Sequence, residues 1–330
     1  MRVLITGAAG YVGCLLIDHF LARGDVDAII GLDRKSCPIS YAQEKRLTWI
    51  CANTRSEDWQ KIAANTRTDV VIHAAWHIRE PYFFRKKYEK DNIEGSNRVF
   101  DFAFSSVFVR TFIHISTVAV YGAWKDSEGR PPYAESDSLR ESEYWYAKQK
   151  IQSEKNLEKK YKQYQENSSS LPAHTIIVRP VSLTGPRYLA SKSKKISLQA
   201  LLKSVLPILP ITSSFWGRQF LHEEDFCGSI DALIARNDTR GLATFNLTSD
   251  AGMSGTEIAH ETHKKILTVR PIFIRILFFL LWHVTFGMIP TSKGGWRFFC
   301  YPLIVDGSKF CKTYGYQYRY SSKEAFLCHA

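Results

Sequence analysis

Nothing in this 330-residue chain supports a disulfide framework. Its seven cysteines are an odd number, stand at 14, 37, 51, 227, 300, 311 and 328, and include no CxxC pair. That spacing also lacks the paired ligands of a structural zinc site, so no metal is expected and a reducing, cytoplasmic compartment is. There is no internal repeat and no long low-complexity tract. With 45% apolar and 23% charged residues, the composition excludes disordered, collagen-like and coiled-coil classes. No secretory signal is expected, because Met1 runs straight into VLITGAAGYVG without a charged stretch, an apolar run and a cleavage site. The chain also has no clean apolar run of about 20 residues, the length a spanning helix needs. The longest run, 272–289 (IFIRILFFLLWHVTFGMI), contains Arg275 and His283 and is bracketed by Pro271 and Pro290. Its plainer reading is a buried or cleft-lining helix. The alternative is a helix that contacts a membrane peripherally. Acidic residues are in deficit, 32 against 44 Lys and Arg, for a net charge of +12, which would favour an anionic lipid surface. Nucleic acid is not an expected partner. The basic clusters at 85–87, 155–162 and 192–195 come without a zinc-finger, helix-turn-helix or RNA-binding signature.

Short apolar runs at 2–6, 27–32, 47–51, 69–75, 110–115 and 175–178 alternate with helix-like stretches, including 57–65, 87–105 and 143–165. Strands alternating with helices predict a parallel sheet covered on both faces. Residues 167–172 (NSSSLP) read as a surface loop. From about Gly185 the alternation weakens, and a smaller C-terminal lobe is expected.

Gly7, Gly10 and Gly13 follow the first strand and open the first helix. Glycine allows the tight turn and lets backbone N–H groups approach a pyrophosphate, and the helix N-terminus adds partial positive charge. Tyr11 and Val12 belong to the same turn. Asp33, at the end of the second strand, stands 20 residues beyond Gly13, where an acid binds the adenosine ribose diol. A carboxylate there repels a 2′-phosphate and favours NAD over NADP. Arg34, which can pair with that phosphate, keeps NADP as the alternative.

The GxxGxxG spacing of GAAGYVG resembles the short-chain dehydrogenase/reductase superfamily, in its extended branch of NAD-dependent epimerases and dehydratases. Further motifs carry the resemblance down nearly the whole chain: HAAW at 73–76, NIEG at 92–95, HISTVAVYG at 114–122, RPVSLTGP at 179–186 and RQFLHEED at 218–225. It implies a Rossmann-type doubly wound parallel sheet over residues 1–180. It also implies a smaller α/β substrate lobe over 181–330, from which some segments return to the first domain. Ala74, Ala75 and Asn92 would line the cofactor, and Asn53 would meet adenine where the family carries Asp. A homodimer is implied by analogy.

The chemistry of such a site needs a Tyr and a Lys four apart on one helix face. A nearby ammonium favours the phenolate, which can take a proton from a substrate hydroxyl as hydride leaves. EYWYAKQKIQSE offers Tyr144 with Lys148 or Tyr146 with Lys150. The family's small residue and acid after the Lys match Ser153 and Glu154, which favours Tyr146 and Lys150. By the resemblance, Lys150 also holds the nicotinamide ribose, and Thr117 supplies the hydroxyl that meets the reacting oxygen. Val118 and Ala119 stand where 4,6-dehydratases carry Asp and Glu, which argues against water elimination. Arg218 and Ser182 fall at substrate positions, Arg218 where relatives place an arginine on a substrate diphosphate. For Arg218, an ion pair with Glu223, Glu224 or Asp225 is an equal reading. The expected reaction is oxidation or epimerisation of a sugar hydroxyl on a nucleotide-activated hexose, with NAD as cofactor. The alternative is a dehydrogenase or reductase of a lipid or sterol-like alcohol, motivated by 272–289.

Overall fold

The computed structural model describes residues 1–167, 174–191, 202–203, 207–235 and 241–328. The basic cluster at 192–195 and most of the loop expected at 167–172 lie outside the described residues.

In chain order the first half runs β1 (Arg2–Thr6), α1 (Tyr11–Leu21), β2 (Ala28–Asp33), β3 (Leu47–Cys51), α2 (Asp58–Asn65), β4 (Val70–His73), α3 (Arg85–Ser105), β5 (Thr111–Ile115), α4 (Trp145–Asn167) and β6 (His174–Pro180). The second half holds β7 (Ser182–Thr184), α5 (Pro186–Ser191), β8 (Ile208–Ile211), β9 (Gly217–Arg218), β10 (Phe220–His222), α6 (Glu223–Ala235), β11 (Leu242–Leu247), β12 (Met253–Ser254), α7 (Gly255–Glu261), β13 (Lys265–Thr268), α8 (Pro271–Val284), α9 (Arg297–Cys300), α10 (Ser308–Tyr314) and α11 (Ser322–Leu327).

Seven strands form one sheet in the order β11-β6-β5-β4-β1-β2-β3. Every pairing in it is parallel. The inner strands bury both faces, so they read as continuous apolar runs rather than as alternation, whereas the edge strand β3 is partly exposed. Along β1, Val3 and Ile5 pack on one face with Leu15, Leu16 and Phe20 of α1 and with Phe226, Ile230 and Leu233 of α6. Leu4 faces the other side, with Trp59 of α2, Val99 and Phe100 of α3 and Leu157 of α4. This is the expected Rossmann-type doubly wound sheet. Its outer strand β11 comes from beyond residue 181 and pairs with β6 in register Thr175↔Leu242 to Pro180↔Leu247. A third core lies in the other lobe, around Trp216, Phe220, Met253, Ile258 and Phe326.

The helix expected over 272–289 is not a buried one. The helix forms, with Pro271 at its first turn, but Phe278 is its one buried side chain. Phe273, Phe279 and Leu280 are each more than half exposed. The run is apolar on too wide an arc for the small lobe to cover, and that lobe packs only the Phe278 side, against Phe299. Among the described residues, no helix is long and apolar enough to cross a membrane.

Candidate functional site

The order of β4, β1 and β2 puts the topological switch point between β1 and β4, where the chain leaves the sheet in opposite directions. The loops after β1, β2, β4 and β5 gather at that carboxyl edge, and they carry most of the residues singled out by motif.

The turn after β1 has almost no spare volume. Gly7 has φ +72°, and a Cβ on it would stand 2.7 Å from the Ala75 backbone. A Cβ on Gly13 would stand 2.2 Å from the Gly7 carbonyl oxygen. The Gly10 amide donates to that carbonyl at 2.9 Å, and Gly10 begins α1 with no side-chain cap. The first N–H groups of α1, Tyr11 and Val12 among them, are therefore left for an anion. Across the switch point, the amides of Ala74 and Ala75 donate to the carbonyl and hydroxyl of Thr6, each at 3.2 Å. The Tyr11 phenol donates to Glu223 at 2.8 Å. Glu223 also accepts from the amides of Arg187 and Tyr188, so it ties α1, α5 and α6 together.

Asp33 accepts from the amides of Ala9 at 3.0 Å and Lys35 at 2.9 Å. The carboxylate is thereby fixed at the end of β2 with lone pairs to spare. Arg34 is nearly half exposed and has one carboxylate partner. Its guanidinium donates to Asp91 at 3.1 Å, and Arg55 and Asn53 donate to the same carboxylate, each also at 3.1 Å. Asn92 has its amide engaged: its Oδ1 accepts from the His77 amide at 2.8 Å, and its Nδ2 donates to Gln149 at 2.6 Å. It acts here as a latch between the loop after β4 and α4.

The two Tyr/Lys registers separate clearly. Lys148 is exposed, whereas Lys150 is buried. The Lys150 ammonium donates to the Ile115 carbonyl at 2.5 Å and lies 3.7 Å from the centroid of Trp76. Burial pushes its pKa down to about 7, against the charge of Glu154, which holds it up. Glu154 sits one turn further along α4 and accepts from Arg179 at 2.6 Å and from the Ser116 hydroxyl. Arg179 also donates to the Tyr121 hydroxyl at 2.8 Å. Tyr146 is within hydrogen-bonding reach of Thr117. Burial raises the phenol's pKa above its ordinary value, and the Thr117 hydrogen bond opposes that rise. Tyr144 is pushed up to about 12 by burial and by the charges of Glu141 and Glu80. Its ring packs on Phe298, 5.1 Å away. His73 and His114 stack at 5.3 Å beneath Lys150, and burial holds both below the ordinary imidazole range. The neutral rings add no second cation under the ammonium.

Arg218 lies in the other lobe, on β9, and forms no ion pair with Glu223, Glu224 or Asp225. Those carboxylates accept instead from Tyr11, from Tyr320 and from the amides of Arg319 and Tyr320. One nitrogen of Arg218, Nη1, donates to the carbonyls of Gly217 at 2.7 Å and Tyr301 at 3.2 Å. Its Nη2 is buried with no partner among the described residues. Burial depresses its pKa to about 9. Ser182 is exposed, in register with Phe220 of β10.

Residues 3–247 match the NAD dependent epimerase/dehydratase family. The chain belongs to this family of enzymes. The low-salt glycan biosynthesis protein Agl12 of Haloferax volcanii is 24% identical over 275 residues, 81% of this chain and 82% of that one. The uncharacterized UDP-glucose epimerase YtcB of Bacillus subtilis is 27% identical over 252 residues, 72% of this chain and 73% of that one. UDP-glucose 4-epimerase from Thermotoga maritima, solved with UDP-glucose, shares the fold with TM-score 0.71 and 18% identity, over 99% of this chain and 96% of that one. Within this epimerase/dehydratase frame, four residues carry weight that the motifs did not assign. Trp76 gives Lys150 a ring face, Gln149 completes the Asn92 latch, and Asp91 collects Arg34, Asn53 and Arg55. Arg297 is buried against Glu141 at 2.7 Å, pinning α9 beside Tyr144. Trp76 was visible in HAAW, but Asp91 and Arg297 give no local signal, because their partners are remote in sequence.

Proposed function

We propose that this chain is an NAD-dependent oxidoreductase or epimerase acting on a sugar hydroxyl of a nucleotide-activated hexose, through Thr117, Tyr146 and Lys150. The observation that carries the substrate class is Arg218. A buried guanidinium with an unpartnered N–H group and no carboxylate against it among the described residues is prepared for an anion. A substrate diphosphate supplies one.

The cofactor fits the same residues. The glycine turn is a cradle that a Cβ would fill, and the uncapped start of α1 supplies amides to a pyrophosphate. Asp33 is held ready for a ribose diol, while Asp91 engages Arg34 and draws it away from a 2′-phosphate. That favours NAD over NADP. Asn53 borders the adenine end. When bound, NAD accepts a hydride from the sugar carbon and can return it. Tyr146 takes the hydroxyl proton, and Thr117 holds the reacting oxygen by a hydrogen bond. Lys150 holds the ribose and keeps positive charge near the phenol, which lowers the cost of the phenolate. Val118 and Ala119 leave no acid and base for dehydration beside Thr117. A homodimer is part of this proposal by analogy.

A second reading, a dehydrogenase or reductase of a lipid-like alcohol, is favoured by the exposed apolar face of α8. The test is to purify the protein without added cofactor, denature it, and identify the released nucleotide by mass spectrometry. Near-stoichiometric NAD, with turnover of a UDP-hexose abolished in Tyr146→Phe, supports the epimerase reading. An empty site that takes up NAD or NADP reversibly supports the second. Unchanged turnover in Tyr146→Phe removes both.

A further inference from the structure

The side chains of α8 outnumber what the fold can cover. Counted at about 100° per residue, Ile272, Phe273, Ile276, Leu277, Phe279, Leu280 and Val284 fall in one arc of about 160°. All of them are exposed, and Phe278 on the opposite side is buried. An amphipathic helix of a globular protein turns its apolar stripe inward, and this one turns it outward. The surface continues past the helix through Phe286 and Met288, 62% and 75% exposed. It continues across the chain as well: Tyr82 packs on Trp282 and Phe286, which places the exposed Phe83 and Phe84 beside the end of α8.

Along α8 and its flanks the charge has one sign. From 262 to 305 the sequence contains no Asp or Glu, but has Lys264, Lys265, Arg270, Arg275, Lys293 and Arg297. Four of these cations, Lys265, Arg270, Arg275 and Lys293, are exposed. Arg270 caps the start of α8, and Arg275 falls at the edge of the apolar arc. Next to Phe84, α3 opens with Arg85, Lys86 and Lys87. Arg85 is paired with Glu80 and Glu89, which leaves the two lysines. The 14 residues of α8 span about 21 Å, too short to cross a bilayer's apolar core.

We propose that this face docks on an anionic bilayer surface, with α8 lying in the plane of the interface and Phe83, Phe84, Phe286 and Met288 inserted beside it. An apolar arc rimmed by cations fits anionic headgroups over acyl chains. A protein partner, a second copy included, would have to supply a matching acidic rim, and this surface carries none between residues 262 and 305. Behind the face, Phe278 packs on Phe299 of α9, Phe298 packs on Tyr144, and Tyr144 packs on Tyr146, so three ring contacts separate Phe278 from Tyr146. The proposal stands whichever alcohol the site oxidises.

The test is co-sedimentation of the full chain with vesicles of phosphatidylcholine and phosphatidylglycerol, and with phosphatidylcholine alone. The chain is expected to pellet with the mixed vesicles, more weakly as salt rises, and to stay largely in solution with phosphatidylcholine. Phe273→Ser, Phe279→Ser and Leu280→Ser should each weaken partitioning roughly tenfold, with NAD content and thermal midpoint unchanged. Lys265→Gln and Arg270→Gln should each weaken it about fivefold, and they keep the test decisive if the serine variants express poorly. A chain that stays in the supernatant with both vesicle types overturns the proposal. So does a dimer in solution that the serine variants dissociate, because the face would then belong to a second copy.

Discussion

Replacing Arg218 with methionine should make the free protein more stable and less able to bind nucleotide. The guanidinium is buried, and that desolvation lowers its pKa from 12.5 to about 9. At neutral pH, where it stays charged, that fall costs the folded chain about 5 kcal/mol. Methionine fills a comparable volume without charge. Against the gain stands the loss of the hydrogen bonds to Gly217 and Tyr301, worth about 1 kcal/mol each. The net expectation is a gain of about 2–3 kcal/mol. The same substitution removes the group proposed to meet the substrate diphosphate. Wild type in UDP at a hundredfold excess over its Kd should be stabilised by about 2.7 kcal/mol, and the variant by almost nothing. Urea unfolding followed by tryptophan fluorescence, with and without UDP, reads both effects. A variant less stable than wild type would show that Arg218 is a structural cation whose cost is met elsewhere. A variant that keeps the full UDP shift would show that the diphosphate binds at another place.

Two further predictions concern the ground beneath Lys150. Glu154→Gln should cost about 3–5 kcal/mol in urea unfolding, because it strands Arg179 in a pair whose side chains are 0% and 4% exposed. The double variant Glu154→Leu/Arg179→Met should recover most of that loss, and a loss below about 1 kcal/mol in the single variant would contradict the pairing argument. The second prediction is a pH dependence. The folded pKa of Lys150 is depressed to about 7 from an ordinary 10.5. Above pH 7 the unfolded chain therefore holds a proton that the folded chain releases, and stability rises with pH by up to about 1.4 kcal/mol per unit. Lys150→Met should flatten the stability profile between pH 7 and 9, and a rise that persists in the variant assigns it to another group.

The parallel sheet was legible because its strands are short apolar runs separated by helical periods, and the glycine turn because three glycines and Asp33 keep a fixed spacing. Thr117, Tyr146 and Lys150 were proposed from family motifs that span only a few residues each, and the structure brings Tyr146 within hydrogen-bonding reach of Thr117. What could not be read comes from contacts between distant segments. Nothing near Arg34 in sequence announces that Asp91 will engage it, and nothing near Arg218 says that three adjacent acids will be used by other donors. The exposure of 272–289 was hidden for a different reason. Periodicity shows that a helix is apolar on one side, but which side meets the body of the protein depends on how much partner surface the second lobe can offer.

The late return of β11 to the sheet bears on how this chain is made. Strand β6 ends at Pro180, but its outer neighbour begins at Leu242. During synthesis, β6 must wait with an open row of amides and carbonyls while about 60 further residues, those of α6 among them, emerge. A fragment cut at residue 180 would carry that edge permanently, as a template for another strand. The first 180 residues are therefore not an independent module that can be moved to another protein. Completion of the sheet, and the protection of its edge, depend on β11, which the chain supplies only after Arg218.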